Sequence, residues 1–307
     1  MERIKLALEK AREDRLKAGG TAFGSLAHTI PVSADKISYL HTRTEPVEAQ
    51  LLHEKRVIAS NESSPSADAY RVLRTQILQR LRENDWNTLA VTSPSDGEGK
   101  TLTAINLAIS LAKEVTYTVL LVDANLKQPG VHKYFGLDPK HGLSDYLVND
   151  APLTSLLINP AGIDRFVILP AGNPLPNSSE MLNSPKMARL VDELKTRYPS
   201  RIVLFDLPPL LSSSDALAFS PYVDAALLVL EEGKTQAEDA QRALSLLQKT
   251  PVLGTVLNKS RRTARVSTDP RAGNNRSNRL ALRGKKLIHT VIDQIHRIKN
   301  RLHAKRT

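Results

Sequence analysis

The sequence predicts an α/β fold, in which a mostly parallel sheet carries helices on both faces. Short runs rich in Val, Leu and Ile are apolar along their whole length, as expected of strands that are buried on both faces. Amphipathic stretches of helical period separate these runs, which favours parallel strands joined by crossover helices. A glycine-containing segment ending in Lys-Thr follows one strand and opens one helix. We therefore expect a ligand to bind beyond the carboxyl ends of the strands.

The apolar runs and the amphipathic stretches alternate along the central part of the chain. The predicted strands are Thr88–Thr92, Thr118–Asp123, Phe166–Leu169, Arg201–Asp206, 225–230 and 252–257. The predicted helices are 67–82, 102–114, 179–198, Asp215–Phe219 and 236–248. The helix 67–82 precedes the first strand, and the other helices lie between strands.

The remaining residues are predicted to form two extensions of this domain. Residues 1–18 place apolar residues at helical spacing, whereas 19–64 show no sustained period, so 1–64 is predicted to be an amphipathic helix and a linker. Residues 65–259 form the predicted α/β domain. The tail, 260–307, holds 14 Lys or Arg against two Asp, while the whole chain carries a net charge of +11, so the basic character lies in the tail.

Composition excludes several classes of function. The chain of 307 residues has no cysteine, which excludes disulfides, thiol catalysis and thiolate metal sites. Its apolar runs are shorter than the roughly 18 residues that span a bilayer, and its charged N-terminus lacks the apolar segment of a secretory signal. We therefore expect a cytoplasmic protein, with the basic tail allowing a peripheral position on the inner face of the plasma membrane.

The segment 93–101, Ser-Pro-Ser-Asp-Gly-Glu-Gly-Lys-Thr, has the pattern of a phosphate-binding loop. Lys100 is placed to contact β- and γ-phosphates, and the Thr101 hydroxyl is placed to bind Mg²⁺. Pro94 stands where the pattern usually has its first glycine, and a glycine-containing turn with a solvated lysine is the alternative. The predicted nucleotide-binding residues of this segment are Ser95, Asp96, Gly97, Glu98, Gly99, Lys100, Thr101 and Leu102.

Two aspartates end predicted strands and support the same site. Asp206 holds the position of a Walker B acid, and Asp123 ends the strand that follows the phosphate loop. Either residue alone is equally well explained as a helix cap. Together the three signals predict a P-loop NTPase, with Lys100, Asp123 and Asp206 as catalytic residues. The predicted metal ligands are Thr101, Asp123 and Asp206.

Several segments resemble the bacterial tyrosine kinases of polysaccharide export, most closely the branch associated with exosortase and exopolysaccharide loci. The segments are 97–108, 119–129, 169–184, 205–209 and 254–259, so the resemblance covers about residues 65–260. These kinases share their fold with the partition and septum-site ATPases, whose phosphate loop carries a signature lysine that this loop lacks. The resemblance implies ATP and Mg²⁺ as cofactors and phosphoryl transfer as the reaction.

The sequence departs from this family at positions that matter for transfer. The family form of the second acidic motif is roughly Asp-Ala-Asp-x-Arg, and here Asn125 and Lys127 replace the second acid and the arginine. An amide carries no charge and cannot act as a base near neutral pH. The family autophosphorylates tyrosines at its C-terminus, whereas the last tyrosine here is Tyr222. Asn258 stands where the family contacts adenine, and a loop cap is an equally good explanation.

The resemblance also implies partners. Asp68, Arg71 and Arg74 match a motif through which the family's subunits contact one another, so we expect a homo-oligomer, with a solvated charged helix as the alternative. A membrane polysaccharide co-polymerase or export protein is the expected partner.

In the tail, 284–306 has one apolar stripe and a basic opposite face, which fits an anionic membrane surface, a membrane partner or its own domain. Nucleic acid is disfavoured because no aromatic residue interleaves the basic ones.

Three functions follow from these observations. The first is an ATP-binding, tyrosine-kinase-like P-loop ATPase of exopolysaccharide synthesis or export, with weakened kinase activity. The second is a non-catalytic regulator that binds ATP and signals to a membrane polysaccharide complex. The third is a partition-type positioning ATPase, against which the missing signature lysine argues.

Overall fold

The computed structural model describes residues 42–60, 63–198 and 200–260, which form a sheet of eight strands in the order β1-β4-β5-β3-β6-β2-β7-β8. The strands are β1 (Arg43–Glu45), β2 (Thr88–Thr92), β3 (Thr118–Asp123), β4 (Ile158–Pro160), β5 (Phe166–Leu169), β6 (Arg201–Asp206), β7 (Ala225–Glu231) and β8 (Val252–Asn258). Every pair of neighbours is parallel except β4 and β5. The predicted mostly parallel sheet is confirmed.

The helices that the structure describes connect these strands. They are α1 (Ala49–Glu54), α2 (Pro65–Asn84), α3 (Lys100–Ala112), α4 (Leu143–Asn149), α5 (Leu153–Leu156), α6 (Ser178–Leu182), α7 (Pro185–Thr196), α8 (Asp215–Phe219) and α9 (Ala237–Leu246), with short 3-10 turns at Ile58–Ser60, Val131–Tyr134 and Ser220–Tyr222. The predicted helix 179–198 is divided in two because Ser184 caps α7, accepting a hydrogen bond from the Met187 amide at 3.2 Å, and Pro185 opens it.

Both faces of the sheet are covered, which explains why its central strands are apolar throughout. Along β3, Leu121 packs into an apolar cluster with α2 and α3, and Leu120 packs into a second cluster with α7 and α9. The strands β2 and β6 alternate between the two clusters in the same way. Because successive side chains of a strand point to opposite faces, a strand between two helical layers must be apolar at every position.

Residues 42–60 differ from the linker that the sequence predicts. β1 pairs with β4, with Arg43 opposite Ile158, and Leu52 is buried in the apolar cluster of α2 and α3. Asn106 of α3 accepts a hydrogen bond from the Ile58 amide at 2.9 Å and donates one to the Arg56 carbonyl at 3.1 Å. A segment held by a three-residue strand and by a polar contact to another helix shows no period of its own, so pattern analysis assigns it wrongly.

Two predicted segments, the helix in 1–18 and the basic helix in 284–306, lie outside the residues that the structure describes. Within the described ranges, no helix combines the length and the apolar character needed to cross a membrane.

Asp224 ties three elements together at the amino edge of the sheet, opposite the edge where the phosphate loop lies. Its carboxylate accepts hydrogen bonds from the Asn87 and Thr88 amides at 3.1 and 3.0 Å and from the Thr88 hydroxyl at 2.7 Å, and it pairs with Lys195 of α7. Burial alone would raise the pKa of Asp224, but the hydrogen bonds from Lys195 and Thr88 hold it below its usual value.

Replacing Asp224 is predicted to destabilise the fold in a pH-dependent way. Asp224→Ala should lower the free energy of unfolding at pH 7 by about 2–3 kcal/mol, because it leaves buried donors without their charged acceptor. A carboxylate with a depressed folded-state pKa stabilises the protein above its unfolded pKa of 3.8 and loses that effect as pH falls through the folded value. Urea unfolding at pH 7 and pH 3 measures both effects.

The matched control for this experiment is Asp192→Ala, because Asp192 is exposed on α7. The control should stay within about 0.5 kcal/mol of the wild type at both pH values. A loss for Asp224→Ala that is equally large at pH 3 would contradict the charge-based explanation.

Candidate functional site

The segment 93–99 forms a tight loop between β2 and α3. Gly97 and Gly99 have φ angles of +77° and +91°, in the left-handed region, and Gly99 is the N-cap of α3. The φ angle of Gly99 is one that residues with a side chain rarely adopt, and a Cβ atom there would also lie 2.1 Å from the Asn258 side-chain nitrogen and displace it, so glycine is strongly favoured at this position. The Thr103 amide donates to the Gly99 carbonyl at 2.9 Å and begins the helix. The loop thus has the backbone that turns amides toward an anion at a helix N-terminus.

Pro94 is accommodated because the start of the loop is fixed by the segment that follows β6. The Leu210 amide donates to the Ser93 carbonyl at 2.9 Å, and the Leu211 amide donates to the Pro94 carbonyl at 3.1 Å. The Ser93 hydroxyl also donates to the Ser95 carbonyl at 2.7 Å. A glycine is therefore not required at position 94 to complete this loop.

The pairing of β3 with β6 brings the two predicted acids together. Asp123 and Asp206 are opposite one another in the register, and neither is exposed to solvent. Burial raises the pKa of both carboxyls, and the charge of Asp123 raises that of Asp206 further, while Lys100 lowers both. Lys100 opens α3 and is itself buried, so it is the cation that compensates this pair.

The two aspartates have different surroundings. Asp123 Oδ2 accepts from the Gly130 and Val131 amides at 2.9 and 3.0 Å, and its Oδ1 accepts from the Asn125 amide at 3.2 Å. Asp206 Oδ2 accepts from the Thr101 hydroxyl at 2.7 Å, whereas its buried Oδ1 has no hydrogen-bond partner within the described ranges. Asp123 therefore anchors the turn after β3, and Asp206 keeps an oxygen available.

This arrangement fits a Mg²⁺ ion with its waters. A buried carboxylate oxygen without a partner needs a donor or a cation, and Thr101 lies on the same carboxylate. Mg²⁺ in nucleotide sites is held by one or two protein ligands together with phosphate oxygens and water. No group of three or more His, Cys, Asp or Glu able to hold a metal is found in the part of the chain that the structure describes.

The two positions that depart from the family motif make structural contacts. Asn125 Oδ1 accepts a hydrogen bond from the Gln128 amide at 3.3 Å, inside the turn that Asp123 anchors. Lys127 donates to Asp215 of α8 at 3.1 Å, and the buried Asp215 also accepts from the Ser178 hydroxyl. These contacts fix the segment after β3 against α6 and α8.

Asn258, at the end of β8, contacts the phosphate loop directly. Its side-chain amide donates to the Glu98 carbonyl at 2.9 Å. This is the loop-cap geometry that the sequence left open beside the adenine contact, and the adenine contact stays a prediction.

Sequence patterns missed several residues at the same edge of the sheet. Lys234 and Thr235 follow β7, Lys259 follows β8, and all three contact the loop. Lys234 and Thr235 belong to none of the motifs that the sequence offered, and Lys259 is included only as the last residue of the segment 254–259. The signal that could have found them is their position, because each lies just beyond the carboxyl end of a parallel strand.

The three charged residues of α2 do not share one environment. Arg71 pairs with Asp68 on the exposed side of the helix. Arg74 instead faces α3, where it donates to the Ser110 carbonyl at 3.1 Å and lies 3.0 Å from the Glu114 carboxylate. Asp68 and Arg71 thus lie on the exposed surface of α2, whereas Arg74 connects α2 to α3.

Comparison with known proteins identifies relatives of this chain. The family model described as CbiA, the CobQ/CobB/MinD/ParA nucleotide-binding domain, matches residues 89–299. Tyrosine-protein kinase YwqD of Bacillus subtilis is 33% identical over 208 residues, which are 67% of this chain and 86% of YwqD. Tyrosine-protein kinase etk of Escherichia coli is 30% identical over 241 residues, which are 76% of this chain and 33% of etk.

The same relationship is seen in three dimensions. The solved structure of the kinase domain of Escherichia coli tyrosine kinase ETK superposes with a TM-score of 0.62 at 29% identity, covering 71% of this chain and 84% of that chain. The similarity to etk therefore corresponds to its kinase domain, and the chain spans about a third of the full etk protein.

Lys100→Met is predicted to weaken binding of ADP by on the order of 100-fold, because a buried cation at the start of α3 is lost from the phosphate site. Calorimetry with ADP and Mg²⁺ measures the effect, and far-ultraviolet circular dichroism checks that the variant folds. Lys249→Met, which changes an exposed lysine after α9, is the control and should bind like the wild type. An unchanged affinity of Lys100→Met for ADP would refute the assignment of 93–101 as a phosphate-binding loop.

Proposed function

Since the chain belongs to the CobQ/CobB/MinD/ParA nucleotide-binding domain family, and its relatives include bacterial tyrosine kinases, we propose that it hydrolyses ATP with Mg²⁺ and transfers phosphate to tyrosine weakly or not at all. The observation that carries this proposal is the arrangement of Lys100, Thr101 and Asp206. The buried lysine and the hydroxyl open α3, and the hydroxyl donates to the strand-end carboxylate at 2.7 Å.

Each residue of the site has a distinct part in this proposal. The loop amides and Lys100 bind the β- and γ-phosphates, and Thr101 with Asp206 holds the Mg²⁺ ion. When bound, Mg²⁺ neutralises charge that develops on the phosphate oxygens. Asp123 keeps the turn after β3 in place and contributes negative charge beside Asp206.

Transfer to tyrosine also needs a group that accepts or steers the proton of the hydroxyl. Burial raises the pKa of Asp123 to about 6, but the side chain is not exposed and its two oxygens already accept three backbone hydrogen bonds, so it is poorly placed to take a proton from a tyrosine hydroxyl. Asn125, two residues later, is neutral and accepts the Gln128 amide. When no base is positioned at the site, water reaches the transferring phosphate more readily than a tyrosine side chain does. We therefore expect hydrolysis of ATP to be less impaired than transfer of phosphate to tyrosine.

Two of the described tyrosines, Tyr134 and Tyr198, are poorly placed to accept phosphate at the site. Tyr134 is close enough to Asp206 for the carboxylate to raise its pKa in addition to the larger effect of burial, but its ring packs against the apolar cluster of α2 and α3. Tyr198 is 42% exposed, yet it precedes β6 and so lies at the opposite edge of the sheet. Transfer to Tyr198 would therefore require a second molecule.

The role in exopolysaccharide synthesis or export, and the partners, are part of the same proposal. We expect subunits to meet through the exposed pair Asp68 and Arg71, and a membrane polysaccharide protein to be the functional partner. The basic segment 284–306 would bring the domain to an anionic membrane surface. A non-catalytic regulator is the second candidate, which Asn125 favours because it removes an acid from the site.

The reaction is tested by incubation with labelled ATP and mapping of phosphotyrosine on the wild type and on Asn125→Asp. We expect the wild type to hydrolyse ATP with little or no phosphotyrosine, and the variant to gain at least about tenfold in transfer when a tyrosine is within reach. Aspartate retains the oxygen that accepts the Gln128 amide, so the turn should persist.

The matched control is Asn84→Asp, which adds the same charge at the far end of α2. It should change neither the rate of ATP hydrolysis nor the rate of transfer to tyrosine. Abundant phosphotyrosine on the wild type would restore the ordinary kinase assignment. Tight binding of ATP with neither hydrolysis nor transfer would establish the regulator instead.

A further inference from the structure

Three successive carbonyl groups of the phosphate loop are each bound by a side chain from outside it. Lys234 Nζ donates to the Asp96 carbonyl at 3.0 Å, and Lys259 Nζ donates to the Gly97 carbonyl at 2.7 Å. The Asn258 amide donates to the next carbonyl, that of Glu98, at 2.9 Å. All three donors come from the carboxyl ends of β7 and β8.

The two lysines are held by a shared carboxylate. Glu231, the last residue of β7, lies 3.0 Å from Lys259 Nζ and 3.5 Å from Lys234 Nζ, and its side chain is 16% exposed. The ion pair with Lys259 lowers the pKa of Glu231, so this carboxylate stays charged near neutral pH. Two ammonium groups thus lie around one carboxylate beside the loop.

The side chain of Glu98 connects the loop to the same region. Its Oε1 accepts from the Thr235 hydroxyl at 2.5 Å, and its Oε2 accepts from the Ser95 amide at 3.0 Å. Thr235 in turn accepts from the Glu231 amide at 2.8 Å. Glu98 is 1% exposed, so this buried carboxylate is fully engaged in holding the loop.

These contacts have a direct consequence for anion binding. When the amides of a loop point inward to a phosphate, its carbonyls point outward and need partners of their own. A cationic donor on a carbonyl fixes the plane of that peptide group and polarises it, which strengthens the amide on its other side as a donor. The nucleotide then meets a loop that is already ordered.

We propose that Lys234, Lys259 and Asn258 form a carbonyl clamp, which orders the phosphate loop for nucleotide binding and in which Glu231 holds the two lysines. The clamp rests on the nucleotide-binding function of the family and does not depend on whether tyrosine is phosphorylated. Its lysines are positioning residues, since they act on the nucleotide through the loop.

Hydrogen exchange of the nucleotide-free full chain tests the clamp directly. In Lys234→Met with Lys259→Met, the amides of 95–101 should exchange about tenfold faster than in the wild type, while those of β3 and β6 should be unchanged. The affinity for ADP, measured by calorimetry with Mg²⁺, should fall about tenfold or more. Arginine at both positions keeps a cationic donor and should recover most of both losses.

Lys249→Met removes the charge of one exposed lysine elsewhere and is the control for loss of surface charge as such. Exchange of 95–101 within twofold of the wild type in the double methionine variant would overturn the clamp, as would an equal increase in Lys249→Met. Loop exchange is measured without nucleotide, so it decides the clamp even if the wild type fails to bind ADP. A wild type that fails to bind ADP would count against the nucleotide-binding function and not against the clamp.

Discussion

The alignment of Asp123 with Asp206 across β3 and β6 is the constraint on which the site depends. Two buried carboxylates side by side repel one another and lose their hydration, so the surrounding chain must supply charge and donors. Three backbone amides are directed at Asp123, the Thr101 hydroxyl is directed at Asp206, and Lys100 is the nearby cation. The sheet order then places β2, which leads into the loop, beside β6.

The sequence predicts the central sheet well because its strands lie between two helical layers. A strand such as β6 must be apolar on both sides, and this composition is visible without knowledge of its neighbours. The strands β1 and β4 have three residues each and are antiparallel to the other strands of the sheet. Their pairing therefore depends on tertiary contacts. Contacts such as that of Asn106 with the 3-10 turn join residues 48 positions apart, and no local pattern records them.

The sequence also predicts the central residues of the candidate site, because the fold fixes where they stand along the chain. Lys100, Thr101 and the two aspartates are found because their spacing to strands and helices is fixed by the fold. Sequence alone could not show that Asp123 is occupied by backbone amides while Asp206 keeps an oxygen without a partner among the described residues. It also could not show that Arg74 turns toward α3 or that Lys234 and Lys259 reach the loop, since a side chain's direction depends on what it packs against.

The central claim is that Thr101 and Asp206 hold a divalent cation next to bound nucleotide. The direct measurement is electron paramagnetic resonance of Mn²⁺, used in place of Mg²⁺, with the chain and ADP. In Thr101→Val and in Asp206→Asn, we expect at least about tenfold weaker binding of Mn²⁺ in the presence of ADP, with binding of metal-free ADP changed much less. Wild-type affinity for Mn²⁺ in both variants would contradict the account.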